Sequence, residues 1–560
     1  MSLSDTTGRI NKVMHNEGFT LEYSPSRQYE AIYKGNLKAG MRSVSVEVCF
    51  RSLRHITLPV IFLDETPDEF PAVTPNYFPG NGYLCYADNQ LAYIDVVKLE
   101  GQIKGCLQLA SNMIEDIFEG LTPEKTRSEF LVYWGGGGIY VDTDGSEKNN
   151  TFGLYSETDC SDFSNPNVNW LLTSTINKNY YPKFNDEVGR LQYFRIHCDA
   201  PLAATEKNFP PQNLMELKEW LKESNKKSVP GLTKAFVDAF QSSPKSSPAI
   251  ALMLDAPNTK AAVLIPRSVP DGLIIKKPEK LIFGNHAKKV TIFRMGIYPL
   301  DERSLISRNA PDIQVNTAPD LSGKRLLLIG CGSVGGHIAE LVARHGAGRL
   351  GGELTLADFD YIKPGNIGRH SLGMESLGKN KAVALKTKLE LILPKVNVKS
   401  LPGEMSFSGY DLIIDATGDQ SFNQFLSTEL LRSNIHCPVV YSWVHGAGVG
   451  TQAFIQHPNK NSPCLHCINN FEKGTSYSLL KGDTENTVKN STGSCSDWSV
   501  PYSAATAMHA AALAANLAID WARGDTTSKI RSVLIHSKEG KQVKDKSVPK
   551  NRGCTYCGTL

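Results

Sequence analysis

Two pairs of cysteines, Cys464/Cys467 and Cys554/Cys557, stand near the end of this 560-residue chain. Each has the two-residue gap of a metal-binding knuckle, and together they supply the four thiolates of a tetrahedral structural zinc. Sharing one ion obliges two distant segments to meet in space. A site closed by four thiolates keeps no open position, so the metal would hold shape and do no chemistry. The alternative for a single pair is a redox dithiol, and the coexistence of two pairs favours metal. Between the pairs lies a fifth cysteine, Cys495, and upstream of all five is a glycine-rich turn at Gly330, Gly332 and Gly335. A nucleotide-type loop, a clasp and a spare thiol point together to ATP-driven thioester chemistry.

The chain is too long for one hydrophobic core and predicts three or four domains. With 60 basic and 57 acidic residues, a net charge of +3 gives no reason to expect direct nucleic-acid binding or an anionic membrane. A protein or a small molecule is the expected partner. Twelve cysteines, four of them in metal-type pairs, suit a reducing compartment, so a cytoplasmic protein is expected. The opening MSLSDTTGRINKV has no apolar signal core. The longest apolar run, 502–522, is rich in alanine and broken by His509, Asn516 and Asp520, which predicts a packed helix and not a membrane span.

Residues 1–120 read as a small α+β domain: β-type runs at 43–50 and 56–63, a Pro/Gly/Asn-rich stretch at 70–82, then a helix near 98–118. Residues 121–305 read as a β-rich middle domain with one amphipathic helix near 213–223 and β-type runs at 261–265, 272–275 and 290–293. A polar stretch, 309–323, leads into the last domain, 306–560. From Lys324 apolar strands alternate with helices: strands at 325–329, 353–357, 412–415 and 439–443, and helices from about 334, near 380–393 and near 421–432. That alternation predicts an α/β, doubly wound, mostly parallel sheet covered on both faces.

In Leu326-Leu-Leu-Ile-Gly330-Cys-Gly332-Ser-Val-Gly335 the glycines let backbone approach phosphate oxygens, and the following helix offers free N–H groups. Alone, the motif equally suits a dehydrogenase or a tight turn. The continuation is more specific: Ala357-Asp358-Phe359-Asp360 closes the second strand, followed by Asn366 and Arg369. An acid there suits ribose hydroxyls, whereas the asparagine and arginine have no evident task with a nicotinamide. With these residues the chain closely resembles the ThiF and MoeB type of adenylating enzymes, which includes the ubiquitin-activating enzymes. The resemblance implies Asp358 for ribose, Asn366 and Arg369 for phosphates, and Lys381, after Gly378, for departing pyrophosphate. It also implies ATP and Mg²⁺, and a structural zinc on the cysteine pairs. The family's magnesium aspartate directly follows a threonine; here the chain reads Asp415-Ala-Thr417-Gly418-Asp419, which displaces Asp419 by one residue and leaves Asp415 as a strand-end structural acid.

Cys495 sits in the small, polar run Ser491-Thr-Gly-Ser-Cys495-Ser-Asp-Trp498, where a thiol can be exposed. Its place between the zinc pairs resembles that of the acyl-accepting cysteine of activating enzymes, implying attack on the adenylate to give a thioester. A second candidate, Cys85, lies in Asn81-Gly82-Tyr-Leu-Cys85. Strands, a proline-rich stretch, Gly-Xaa-Xaa-Cys and then helices resemble the fold of ubiquitin-conjugating enzymes, which makes Cys85 a thioester carrier. The His-Pro-Asn tripeptide of that family is missing, and Asn81 or Asn76 is the available replacement for its asparagine. Cys49, Cys106, Cys160, Cys198, Cys331 and Cys437 read as structural, with His197 beside Cys198 as a weak alternative pair.

A conjugating-type domain, a β-rich middle and a zinc-bearing adenylating domain in one chain resemble the fused activating and conjugating enzymes of bacterial CBASS antiphage operons. That resemblance implies a protein substrate with a C-terminal glycine, a cGAS-like nucleotidyltransferase, adenylated, passed to Cys495, transferred to Cys85 and joined to a target amine. It implies a homodimer through the adenylating domain, with Arg303 or Arg308 as the arginine lent across the interface. The rivals are the same chemistry on a bacterial ubiquitin-like protein or sulfur carrier, and a catalytically idle nucleotide-binding scaffold.

Overall fold

The computed structural model describes the chain outside residues 1–2, 23–27, 54–56, 72–73, 75, 79–80, 88–93, 121–125, 128, 143–150, 158–162, 164, 166–167, 175–179, 185, 206, 245, 267–284, 307–319, 460, 469–476, 482–489, 492–497 and 559–560. The chain divides into two compact units, Met1–Tyr298 and Pro299–Leu560.

The first unit contains two sheets. One is wholly antiparallel, in the order Thr20–Glu22, Ala31–Ala39, Arg42–Phe50, Val60–Leu63, Tyr83–Leu84, Tyr77–Phe78. Alternation decides which face is inward: Val44, Val46 and Val48 are buried while Ser43 and Ser45 face water. The helix Leu99–Phe118 covers that face with Leu99, Ile103, Cys106, Leu107, Ala110, Ile114 and Ile117, a stripe at three- and four-residue spacing. The helix Leu3–Asn16 adds Ile10, Val13 and Met14 to the same core.

The other sheet has eight strands in the order Asp186–Leu191, Phe152–Ser156, Asn169–Thr173, Gly137–Asp142, Phe293–Pro299, Lys260–Pro266, Ala249–Asp255, Tyr193–His197. An aromatic cluster of Phe130, Trp134, Phe209 and Trp220 packs one side, with the helices Leu214–Ser224 and Val229–Ser242. The β-type run expected at 290–293 begins only at Phe293 and extends to Pro299; a 3₁₀ turn, Asn285–Lys289, fills the preceding stretch. The strand within 56–63 is confined to Val60–Leu63, and the run at 272–275 lies outside the described residues.

The second unit is built on one eight-stranded sheet. Val398–Leu401, Glu353–Ala357, Arg325–Ile329, Leu412–Asp415 and Val439–His445 run parallel in that order; Gly450–Gln456, Lys529–Leu534 and Lys546–Ser547 continue it antiparallel. The central parallel strands, Arg325–Ile329 and Leu412–Asp415, read as apolar runs because both faces are covered, whereas the edge strand Val398–Leu401 carries Lys399 and Ser400. The helix Ser333–Arg344 lays Ile338, Ala339 and Val342 on one face, and Gln420–Leu431 lays Leu426 and Leu430 on the other. The alanine-rich run forms the helix Ala504–Ala522, buried along Ala507, Ala510, Ala511, Ala514 and Ala518. Small side chains let it lie close enough for Ser442 Oγ to donate to the Ala510 carbonyl at 3.0 Å. Among the described residues, no helix is long and apolar enough to cross a membrane.

Candidate functional site

Strand Arg325–Ile329 hands the chain to Gly330, whose φ of +84° lies in the left-handed region. A Cβ there would come 2.8 Å from Thr417 N, and one on Gly335 would come 1.8 Å from Gly330 O, so packing imposes both glycines. Gly332, the residue before the helix Ser333–Arg344, differs: a Cβ on it would meet nothing within 4 Å. Protein packing does not require that glycine. The open space over a helix start suits an incoming phosphate.

Hydrogen bonds tie the neighbouring motifs to this loop. Cys331 N donates to Asp358 Oδ2 at 2.7 Å and Asp360 N to Asp358 Oδ1 at 2.8 Å. Each carboxylate oxygen keeps a lone pair, so Asp358 remains able to accept from ribose hydroxyls. Lys381 opens the helix Lys381–Ile392, capped by Asn380, whose Oδ1 accepts from Val383 N. A cation is disfavoured at a helix start. Lys381 is nonetheless buried there, with Nζ 2.5 Å from Asp360 Oδ2. Burial works against the Asp360 carboxylate, but the hydrogen bond and charge of Lys381, aided by Lys363, hold its pKa below the usual 3.8.

Asn366 Oδ1 accepts from Lys363 N at 2.9 Å, and its carbonyl accepts from Arg369 N and His370 N. The Arg369 guanidinium lies 4.2 Å over the Tyr502 ring, Nη1 donates to Val500 O at 2.9 Å, and Nε is buried without a partner among the described residues. An unspent donor on a braced guanidinium is what a phosphate oxygen requires. His370 was not singled out from the sequence, yet it joins this segment to the loop. Its Nδ1 accepts from Leu372 N at 3.0 Å, which places the proton on Nε2 for donation to Cys331 O at 2.7 Å.

Asp415 and Asp419 separate cleanly. Asp415 is fully buried; Oδ1 accepts from the Thr417 N–H and hydroxyl, and Oδ2 from Asn423 Nδ2 at 2.5 Å. Asp419 is exposed and caps Gln420–Leu431, with Oδ1 accepting from Ser421 N at 2.8 Å and Phe422 N at 3.1 Å. Its exposed carboxylate suits a hydrated Mg²⁺, which binds through few protein oxygens.

The four paired cysteines converge. Their sulfurs all lie within 4.8 Å of one another, with Cys464–Cys467 at 3.8 Å, Cys464–Cys554 at 3.6 Å and Cys467–Cys557 at 3.4 Å. In a tetrahedron with Zn–S bonds of about 2.3 Å the sulfurs stand about 3.8 Å apart, so the quartet fits zinc. His466 turns its ring onto Tyr556, 4.3 Å between centroids.

Of the two candidate acyl carriers, Cys495 lies outside the described residues, as do Cys160 and Arg308. Cys85 belongs to the first unit and is half-buried. It directly follows the strand Tyr83–Leu84, and because Tyr77 pairs with Leu84, Cys85 falls opposite Asn76; Cys85 N donates to Asn76 O at 2.8 Å. Asn81 is committed to the hairpin turn through Tyr83 N. The other described thiols are buried: loss of solvent pushes Cys49 and Cys437 up to about 12 and Cys106, Cys198 and Cys331 upward. His197 is exposed and pairs with Asp199.

The work such a cradle can do is to steady a triphosphate while its α-phosphorus is attacked and pyrophosphate departs, which makes the class that of the ATP-dependent adenylating transferases. Residues 306–556 match the model of the ThiF family. The whole chain is similar to the ATP-dependent ubiquitin transferase-like protein Cap2 of Pseudomonas aeruginosa (strain BWHPSA011 / Pa011), at 26% identity over 516 residues and 90% of each chain. It is 24% identical over 550 residues, again 90% of each chain, to the protein of the same description from Vibrio cholerae serotype O1. A crystal structure of E. coli MccB with ATP aligns at 18% identity and a TM-score of 0.34, over 44% of this chain and 70% of its own.

Proposed function

We propose that this protein is an ATP-dependent ligase of the cytoplasm that joins the C-terminal glycine of a protein to a target amine. The hydrogen-bonded path from the glycine loop through Asp358 and Asp360 to Lys381, together with the His370–Cys331 bond that ties the Arg369 segment to the same loop, carries the adenylating half of this reading. The similarity to the Cap2 proteins along 90% of the chain supports the conjugating half.

A C-terminal carboxylate resists amines because it is an anion without a usable leaving group. Its attack on the α-phosphate of ATP gives an acyl adenylate and pyrophosphate. The glycine loop and Arg369 hold the phosphates, Asp358 the ribose, and Lys381 leaves Asp360 for the charge gathering on pyrophosphate. Asp419 would hold Mg²⁺, which when bound would supply further neutralisation of that charge. The Cys495 thiolate displaces AMP to give a thioester, the Cys85 thiolate takes the acyl group, and a target amine receives it. The activated protein is a cGAS-like nucleotidyltransferase of an antiphage system. The zinc on Cys464, Cys467, Cys554 and Cys557 is structural, and two copies pair through the adenylating domain.

The test combines the protein, ATP, Mg²⁺ and candidate proteins ending in glycine, and follows reducible adducts by intact mass. Cys495→Ala is expected to lose every adduct yet keep pyrophosphate exchange, and Cys85→Ala to trap the substrate on Cys495. Full conjugation by both variants overturns the relay. A sulfur-carrier substrate predicts an unaffected Cys85→Ala variant, and an idle scaffold predicts no pyrophosphate release with any tail.

A further inference from the structure

The backbone beside Cys85 is held from both sides. Asn76, opposite it in the hairpin, has a φ of +59°, a conformation costly for a residue with a side chain and tolerated best by asparagine. Its carbonyl accepts from Cys85 N at 2.8 Å, and its own N–H donates to Tyr133 Oη at 3.0 Å. Tyr133 stands on the short helix Phe130–Trp134, 57 residues away in sequence and beyond the helix that closes the antiparallel sheet's core. Its hydroxyl in turn donates to Glu129 Oε2 at 2.8 Å. Burial foremost, with the negative charges of Glu129 and Cys85 adding to it and the Asn76 N–H opposing, raises the Tyr133 hydroxyl above its usual 10.0. The phenol therefore keeps its proton for Glu129 and turns a lone pair to Asn76.

We propose that Tyr133, oriented by Glu129, is a positioning residue for acyl transfer at Cys85: it fixes Asn76 in the left-handed turn from which the asparagine amide reaches the oxyanion of the attacked thioester. The inference rests on the reading of Cys85 as the acyl carrier. In that step the amine lone pair forms the C–N bond, the C–S bond breaks with its electrons staying on Cys85 sulfur, and the amine proton leaves to solvent or to that sulfur. The transient negative charge on the carbonyl oxygen needs a donor, and the asparagine amide is the neutral donor that the hairpin register sets opposite the thiol. The hydroxyl of Tyr133 is invisible to motif reasoning because it arrives from outside the Cys85 segment.

The experiment uses the full chain with its Cys85 thioester preformed, and measures single-turnover discharge to free lysine across amine concentration and pH. Tyr133→Phe, which leaves the Asn76 N–H without its acceptor, is expected to slow discharge at saturating lysine roughly tenfold. The KM for lysine, pyrophosphate exchange, formation of the first thioester and the melting temperature should stay as in the parent. Glu129→Gln, whose amide oxygen still accepts from the phenol, is expected to restore most of the rate relative to Glu129→Ala. Asn76→Gly accepts the positive φ without strain and removes only the amide, so it should match Tyr133→Phe. Discharge at the parent rate in Tyr133→Phe and Asn76→Gly, with Cys85→Ala inactive in conjugation, overturns the inference and leaves the carrier role standing. Conjugation by Cys85→Ala at the parent rate overturns the carrier role, and the inference falls with it.

Discussion

Lys381 Nζ lies 2.5 Å from Asp360 Oδ2, at the start of a helix where a cation has no other electrostatic reason to be. Asp360 thus holds the lysine in place, and in the proposed function a more strongly charged partner displaces it. Lys381→Ala is expected to lower pyrophosphate exchange on the order of 100-fold, the usual scale for a lost charge-stabilising donor. Under the proposed function the lysine is released to a phosphate only in the reaction, so kcat should fall more than KM for ATP.

Arg369 contacts Val500 O through one nitrogen and stacks on Tyr502, leaving Nε buried without a partner among the described residues. Lysine keeps the charge but has neither the planar stack nor the second donor. Arg369→Lys is therefore expected to lose more than about tenfold in exchange at subsaturating ATP. Steady-state kinetics against ATP concentration check this.

Asn caps a helix as well as Asp does. Asp419→Asn should therefore keep the fold and the bonds to Ser421 and Phe422 while losing the charge offered to Mg²⁺. The expected outcome is an unchanged melting temperature and a raised Mg²⁺ requirement in exchange assays. Asp415→Ala should do the reverse, costing about 1–3 kcal/mol of stability by leaving the Thr417 and Asn423 donors unpaired.

Burial foremost, with the positive charges of Lys381 and His337, holds His370 below its usual 6.5 despite its bond to Cys331 O and the charge of Asp358. The folded protein keeps the ring neutral, while the unfolded chain takes up a proton near 6.5. Its contribution to stability is complete above that value and is lost as pH falls below it. Urea midpoints should drop between pH 7 and pH 5.5, and less steeply in His370→Gln; identical slopes would rule this out.

Freshly purified protein should contain about one zinc per chain, measured by mass spectrometry of the metal. Cys554→Ser leaves three thiolates, and its expected outcome is loss of the metal and a large fall in melting temperature, since binding energy at such sites is folding energy.

The parallel half of the last sheet was legible because strands buried on both faces write themselves as apolar runs, as Leu326–Ile329 does. The antiparallel continuation was not. Gly450–Gln456 is buried throughout yet includes Thr451, Gln452 and Gln456, and the amide partners come from distant segments: Ser427 donates to Gln456 Oε1, and Gln452 Nε2 donates to Tyr477 O and Ser532. Buried polar residues whose partners come from distant segments carry no strand period. The site follows the same division. The glycine loop, Asp358, Arg369, Lys381 and the thiolate quartet could be named from motifs, whereas the bonds of Asp360, His370 and Tyr133 depend on partners that folding supplies.

The brace under Arg369 reaches further than the nucleotide. Val500 and Tyr502 belong to the stretch that leads from the Cys495 segment into the alanine-rich helix, so the guanidinium proposed to hold a phosphate also leans on residues a few positions beyond that cysteine in the chain. Under the proposed function, one guanidinium would therefore couple the nucleotide to the backbone that continues from the acyl-accepting segment, and Tyr502→Ala would be felt first in pyrophosphate exchange.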